Sequence, residues 1–323
     1  MALLCATLFP VASAAEHAEQ CDPNKVLTAT TCAKCHAAET EAWKGTPHFR
    51  TFEALHRTPR AKEIAAKMGV ASIKRSELCA RCHYTQQAID GGLKTISGIS
   101  CESCHGAARD WIALHNDYGG PGVGKLQESK QHAAERVARS TAAGMRNPTN
   151  LYTIARSCLD CHVAANEKLV NVGGHPAGSL DFQFVAWSQG RVKHDFLSHG
   201  GANVTASREK LRVMHVIGLV AELEFSTRAT GEATSKAKYG LAVAQRAVRA
   251  ALELQAIQQQ AQNPRLEQIL AAFAEAELRT NNDAALNEIA NRIREAGEQL
   301  ATELDGKTLP FVDSKLPPPS AYK

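Results

Sequence analysis

ISCESCHGAARDWIALH, residues 99–115, separates Cys101 from Cys104 by two residues, closes the pair with His105, and offers His115 further on. The same word recurs as CAKCH (Cys32, Cys35, His36), CARCH (Cys79, Cys82, His83) and CLDCH (Cys158, Cys161, His162). Four copies use eight of the ten cysteines of the 323-residue chain. Cys-x-x-Cys-His is the attachment word of c-type haem: the cysteines form thioethers to the porphyrin vinyls, and the adjacent imidazole binds the iron. A zinc site uses Cys-x-x-Cys pairs but gives no reason for a His after each one. A thioredoxin-like motif occurs once, and a disulfide framework also ignores the His. The repeated word therefore points to four haems.

The formal net charge of +4 precedes the carboxylates that each haem adds, so charge says little about a nucleic-acid or membrane partner. No nucleic-acid role is expected. Aromatic content is low, at 5%, which suits a core whose apolar bulk is porphyrin. The start, MALLCATLFPVASAAEH, is an apolar run ending in Ala12-Ser13-Ala14, a cleavage pattern without the usual basic beginning. A leader over 1–14 and a periplasmic, soluble product are expected; the alternative is a buried N-terminal helix. Cleavage there would leave Cys21 as the lone thiol outside the haem words. No other apolar run is long enough to span a bilayer.

Two regions follow, in a mainly α chain. Residues 15–204 carry every haem word in a domain with little regular structure beyond short helices, expected over 38–44, 49–69 and 128–142. GGPGVGK (119–125) is a loop and not a phosphate-binding P-loop, since no Ser or Thr follows the Lys. Residues 205–306 turn Ala-, Gln-, Glu- and Leu-rich, with helical stretches at 206–227, 232–261, 264–280 and 283–304. Asn263-Pro264 is a cap followed by proline at the first helical position, and Leu286, Ile289, Ile293, Ala296, Leu300 and Leu304 follow one helical face. An antiparallel bundle is expected, as a scaffold or as a docking or dimerisation module. The Pro-rich stretch 307–323, ending LPPPSAYK, is expected to be a loose end.

A haem iron has two axial positions, and the second decides its use. Of the histidines outside the words, His132 reads as a surface residue, His199 as a loop residue and His215 as a satisfied core residue. His56 carries no clear signal. His48, His115, His175 and His194 lie in richer contexts, WKGTPHF, DWIALH, GGHPAG and GRVKHDF. Trp43, Trp111 and Trp187 precede candidate ligands and are expected to pack on porphyrin. Arg109, Arg146 and Arg191 are candidate partners for haem carboxylates, with a solvated surface Arg as the alternative.

CAKCHAAETEAWKGTPHF (32–49), GISCESCHGAARDWIALH (98–115) and a fourth word followed at a distance by His194 resemble the tetrahaem cytochrome c-554 family over residues 28 to 196. The bundle lies outside that resemblance. The resemblance implies crossed ligation: His115 opposite His36 on the first haem, His48 opposite His162 on the fourth, and His194 opposite His105 on the third. The second haem, on His83, is open in the family's type member, whereas here GGHPAG offers His175; an open site remains the alternative, and His175 and His194 could exchange. The implied function is electron transfer between redox partners. Members of the family serve a multihaem oxidoreductase; a quinol-linked cytochrome is another candidate partner. The alternative is reduction of a small nitrogen or sulfur oxide at an open second haem. The Cys-x-x-Cys-Lys word of pentahaem nitrite reductases is absent from the sequence.

Overall fold

The computed structural model describes residues 21–163 and 166–323. The expected leader over 1–14 lies outside the described residues. The first region is a string of short helices: α1 Ala29–Ala33, α2 Ala37–Lys44, α3 Pro47–Ala54, α4 Pro59–Lys67 and α5 Glu77–His83. After a hairpin come α6 Cys101–His105, α7 Ile112–His115, α8 Lys130–Ala142, α9 Leu151–His162, α10 Glu167–Asn171 and α11 Phe184–Ser188. The single helix expected over 49–69 is instead α3 and α4. Thr46 and Thr58 each accept a backbone N–H from the first turn of the next helix, and each is followed by proline. Pro59 has no N–H to bond back into the preceding turn, so the chain restarts there.

The hairpin pairs β1 Thr85–Ile89 with β2 Gly92–Ser97 in antiparallel register. Asp90 and Gly91 turn it, both at positive φ (51° and 75°), the conformation that matches the twist of two short strands. The composition of this region conceals the pair, although the Asp-Gly dipeptide is its sequence signal.

The second region has α12 Arg208–Glu232, α13 Lys238–Ala261, α14 Pro264–Ala274 and α15 Asp283–Glu303. α12 is buried on nearly every side, as a central helix must be. It packs on α13, α15, α9 and α11. One hydrophobic core runs from Tyr152, Leu159 and Phe184 through Ile217, Val220 and Leu223 to Leu254, Ile293 and Leu300. The bundle thus shares its core with the helix that carries the fourth haem word. Polar groups tie the same seam. The fully buried Glu224 carboxylate accepts from Tyr152 Oη (2.9 Å), Arg156 Nε (2.9 Å) and Arg228 Nη2 (3.2 Å).

The C-terminal stretch is not a loose end. It folds into three 3-10 turns, Leu309 and Val312 enter the core, and Asp313 accepts two N–H groups of Arg212. Lys323 donates its backbone N–H to Ala186 O, accepts from Arg191 N, and pairs through Nζ with Asp181. Proline suits such turns, and the apolar residues between them supply the anchorage. Among the described residues no helix is long and apolar enough to cross a membrane.

Candidate functional site

Each haem word occupies the end of a helix. The second, third and fourth finish α5, α6 and α9 with their own histidines, and the first begins in α1 and closes at His36, which caps α2. Three-residue spacing on a helix sets both sulfurs on one side, with the imidazole following immediately. All described cysteines are free thiols, and Cys35 is exposed.

Each of these four histidines faces one histidine from elsewhere. The ring centres lie 6.3 Å apart for His36 and His115, 6.2 Å for His48 and His162, 6.2 Å for His83 and His175, and 6.1 Å for His105 and His194. A metal between two imidazole nitrogens lies about 2 Å from each, and with about 1.1 Å from nitrogen to ring centre this puts the centres about 6 Å apart. The four pairs fit that spacing. Direct stacking of two rings does not account for it, because their planes meet at 23°, 51°, 59° and 90°. Among the described residues no three His, Cys, Asp or Glu side chains converge to hold a bare ion. A metal between two rings would take its other ligands from a group outside the chain, as porphyrin provides.

Hydrogen bonds orient the rings. Nδ1 meets a backbone oxygen in His105 (Arg146 O, 3.2 Å), His115 (Ile112 O, 2.6 Å), His175 (Pro176 O, 2.8 Å) and His194 (Val192 O, 2.5 Å). In His162 it meets Ser179 Oγ at 2.7 Å. A carbonyl partner places the proton on Nδ1 and leaves Nε2 as the basic nitrogen, the usual arrangement behind a metal ligand. Burial pushes the His83, His105 and His162 imidazoles down to about 4 and lowers His48 and His115. They are therefore neutral near pH 7, the state that binds metal.

The unspecified positions inside the words hold the words together. Glu102, in the third, is 1% exposed. Its carboxylate accepts from Leu27 N (2.9 Å), Thr28 N (2.9 Å) and Ala108 N (2.8 Å), so it clamps the chain just before the first word. Arg81, in the second, donates to Asp160, in the fourth, at 3.0 Å. The thiols repeat this pairing: Cys32 neighbours Cys101, and Cys82 neighbours Cys161. α6 and α9 also touch, bringing the third word to the fourth. The sequence reading missed Glu102, Arg81 and Asp160 because attachment chemistry constrains only the Cys and His positions.

The remaining candidates fall as follows. Arg146 is buried and donates to Cys104 O (2.8 Å) and Ser103 O (2.7 Å), stabilising the C-terminal carbonyls of α6. Arg109 and Arg191 are exposed. Trp111 meets His115 edge-on at 5.1 Å, Trp187 meets His162 at 4.8 Å, and Trp43 meets Phe49 at 4.8 Å. His132 pairs with Glu128, and His199 with Asp195. His215 is buried between Gln183 and Glu253. Burial pushes the Cys21 thiol up to about 12, and it donates to Glu102 O at 2.9 Å.

Known proteins resemble part of this site. Residues 31–106 match the family model described as cytochrome c554 and c-prime. Cytochrome c-554 of Nitrosomonas europaea is 32% identical over 98 residues, which covers 27% of this chain and 41% of that protein. The chain thus spans about two fifths of the length of the curated relative it matches. No solved structure matches. Three of the four haem words lie inside the matched span, and over that span the chain is similar to the cytochrome c-554 family of c-type cytochromes.

Proposed function

We propose that the chain is a tetrahaem electron carrier of the periplasm. It would exchange electrons with redox partner proteins through four bis-His haems. The observation that carries this reading is the four-fold recurrence of one spacing, 6.1–6.3 Å between the His of each word and a single second His. Cys32, Cys35 and His36 with His115 would hold the first haem. Cys79, Cys82 and His83 with His175 would hold the second, Cys101, Cys104 and His105 with His194 the third, and Cys158, Cys161 and His162 with His48 the fourth. Bound haem iron supplies one-electron redox chemistry. The two histidines of each pair would hold the iron between them, and burial and nearby charge would set its potential.

The back-to-back words give the carrier a direction of contact. The first word touches the third, the third the fourth, and the fourth the second, so electrons would pass in the order first, third, fourth, second. We assign residues 15–204 to the haem domain, 205–306 to the bundle and 1–14 to a leader. The 6.2 Å separation of His83 and His175 favours a closed second haem over an open one that reduces a small nitrogen or sulfur oxide. Electron paramagnetic resonance of the oxidised holoprotein, quantified per haem, tests the assignment. Four low-spin ferric signals are expected. One high-spin signal that shifts on adding cyanide would overturn the carrier reading in favour of the reductase.

A further inference from the structure

The strongest unexplained group in the molecule is Arg246 of α13, in the bundle and beyond the span matched to the family. Its side chain is 1% exposed. Nη1 donates to His162 O at 2.9 Å, and Nε donates to Glu222 Oε1 at 3.1 Å. Nη2 is buried and has no acceptor among the described residues. The guanidinium therefore lies between Glu222 and His162, with its positive charge on the His162 side and one edge left unneutralised. A Cβ at Gly178 would come within 3.1 Å of Nη1, so this wall of the site is closed around the charge. Glu222 is itself buried and also accepts from Arg249 at 2.9 Å. A buried arginine needs a reason, because its desolvation is costly and a well-packed apolar residue is often as good for stability.

We propose that Arg246 is a positioning and potential-setting residue: the bundle holds an oriented Glu222–Arg246 ion pair behind His162 to raise the reduction potential of the haem on the fourth word. The inference rests on the haem assignment above. A ferric bis-His haem carries one more positive charge than its ferrous form. A fixed positive charge in a low-dielectric wall therefore disfavours the ferric form and draws the electron to that haem. Nothing is transferred to or from Arg246. It acts on the one-electron couple through His162, and the electron comes from the donor protein. The bundle becomes part of the redox centre, not only its support.

The test is a potentiometric titration of the holoprotein followed by electron paramagnetic resonance, which resolves the haems by their separate low-spin signals. In R246Q one signal is expected to titrate about tenfold less favourably towards reduction, which is about 59 mV for a one-electron couple, while the other three stay in place. Glu222 keeps Arg249 as a partner in that variant, so the fold is retained. R246K restores most of the loss by returning the charge. E222Q shifts the same signal the other way. A loosened fold would move both substitutions in one direction, so opposite shifts on one haem separate charge from structure. Unchanged potentials in R246Q, shifts of one sign in both variants, or R246K behaving as R246Q would each overturn the proposal. Haem counting on the wild-type protein separates this from the assignment beneath it. Fewer than four haems, or none on the 158–162 peptide, overturns both; four haems with unmoved potentials overturns only the role of Arg246.

Discussion

Glu102 occupies a position that haem attachment leaves open, yet three backbone N–H groups depend on it. Replacing it with Ala leaves those donors without that partner, Ala108 N buried and Leu27 N and Thr28 N partly so. Glu102→Ala should cost about 2–4 kcal/mol, and Glu102→Gln less, because the amide keeps one acceptor. Urea denaturation of the holoprotein measures both. The histidines give a pH dependence with a definite sign. His83, His105 and His162 are held at about 4, below the 6.5 of an unperturbed imidazole. Between those values the unfolded chain binds more protons than the folded one, so stability is complete above 6.5 and is lost as pH falls towards 4. That window is set by the free imidazoles; in the holoprotein iron on Nε2 competes with the proton, so acid titration of the oxidised holoprotein should keep the haem low-spin through it and convert it to high-spin only at lower pH, read from the visible spectrum. At this scale the sequence was legible where chemistry fixes residue type. The Cys and His positions declare themselves. Glu102, Arg81 and Asp160 do not, because Leu27 and Thr28 lie 75 and 74 residues from Glu102, and Asp160 lies 79 from Arg81, and no local pattern announces a long-range clamp.

Elements were legible where caps and periodicity coincide. Asn263-Pro264 opens α14 as the residues imply, α15 starts at Asp283 with Asn282 before it making no side-chain cap, and the apolar face of α15 is the buried one. The break at Thr58-Pro59 is written in the sequence too, but the apolar residues on both sides read as one helix. The Asp90-Gly91 hairpin is too short for alternation to stand out from a haem domain's loops. Packing between elements was illegible, and Gly297 of α15 shows why. A Cβ there would lie 2.6 Å from Tyr152 Cζ, a contact between residues far apart in the chain. Gly297→Ala should push the Tyr152 ring away from Glu224 and cost about 1–3 kcal/mol by overpacking. Denaturant unfolding should record the loss while the haem count stays at the wild-type value, since no haem ligand lies on α15.

At the scale of the whole molecule, the C-terminal stretch returns to the haem domain at the segment that delivers His194. Composition gave that stretch no role, because prolines and small polar residues read as a loose end. Its anchorage is instead backbone to backbone: Lys323 donates to Ala186 O and accepts from Arg191 N, and Gly190 lies so close to Lys323 that any side chain there would collide with it. His194 follows three residues after Arg191, on a loop with its ring held by Val192 O. The loop's own bonds run from Lys193 N to Gly190 O and through Asn203, which donates to Lys193 O and accepts from Asp195 N. Arg191 N would lose its acceptor on removal of the stretch, and an unpaired loop opens more readily than a packed helix. Truncation after Lys315 should leave the bundle core intact, because Leu309 and Val312 remain, but should loosen His194 from its place opposite His105. The measurement is cyanide binding to the oxidised holoprotein. One haem of the truncated chain is expected to bind cyanide faster than any haem of the full chain, and the His105 site is the one it should map to. Equal rates in the two proteins would show that the loop holds His194 unaided, and that the stretch from 316 to 323 serves only the surface it covers.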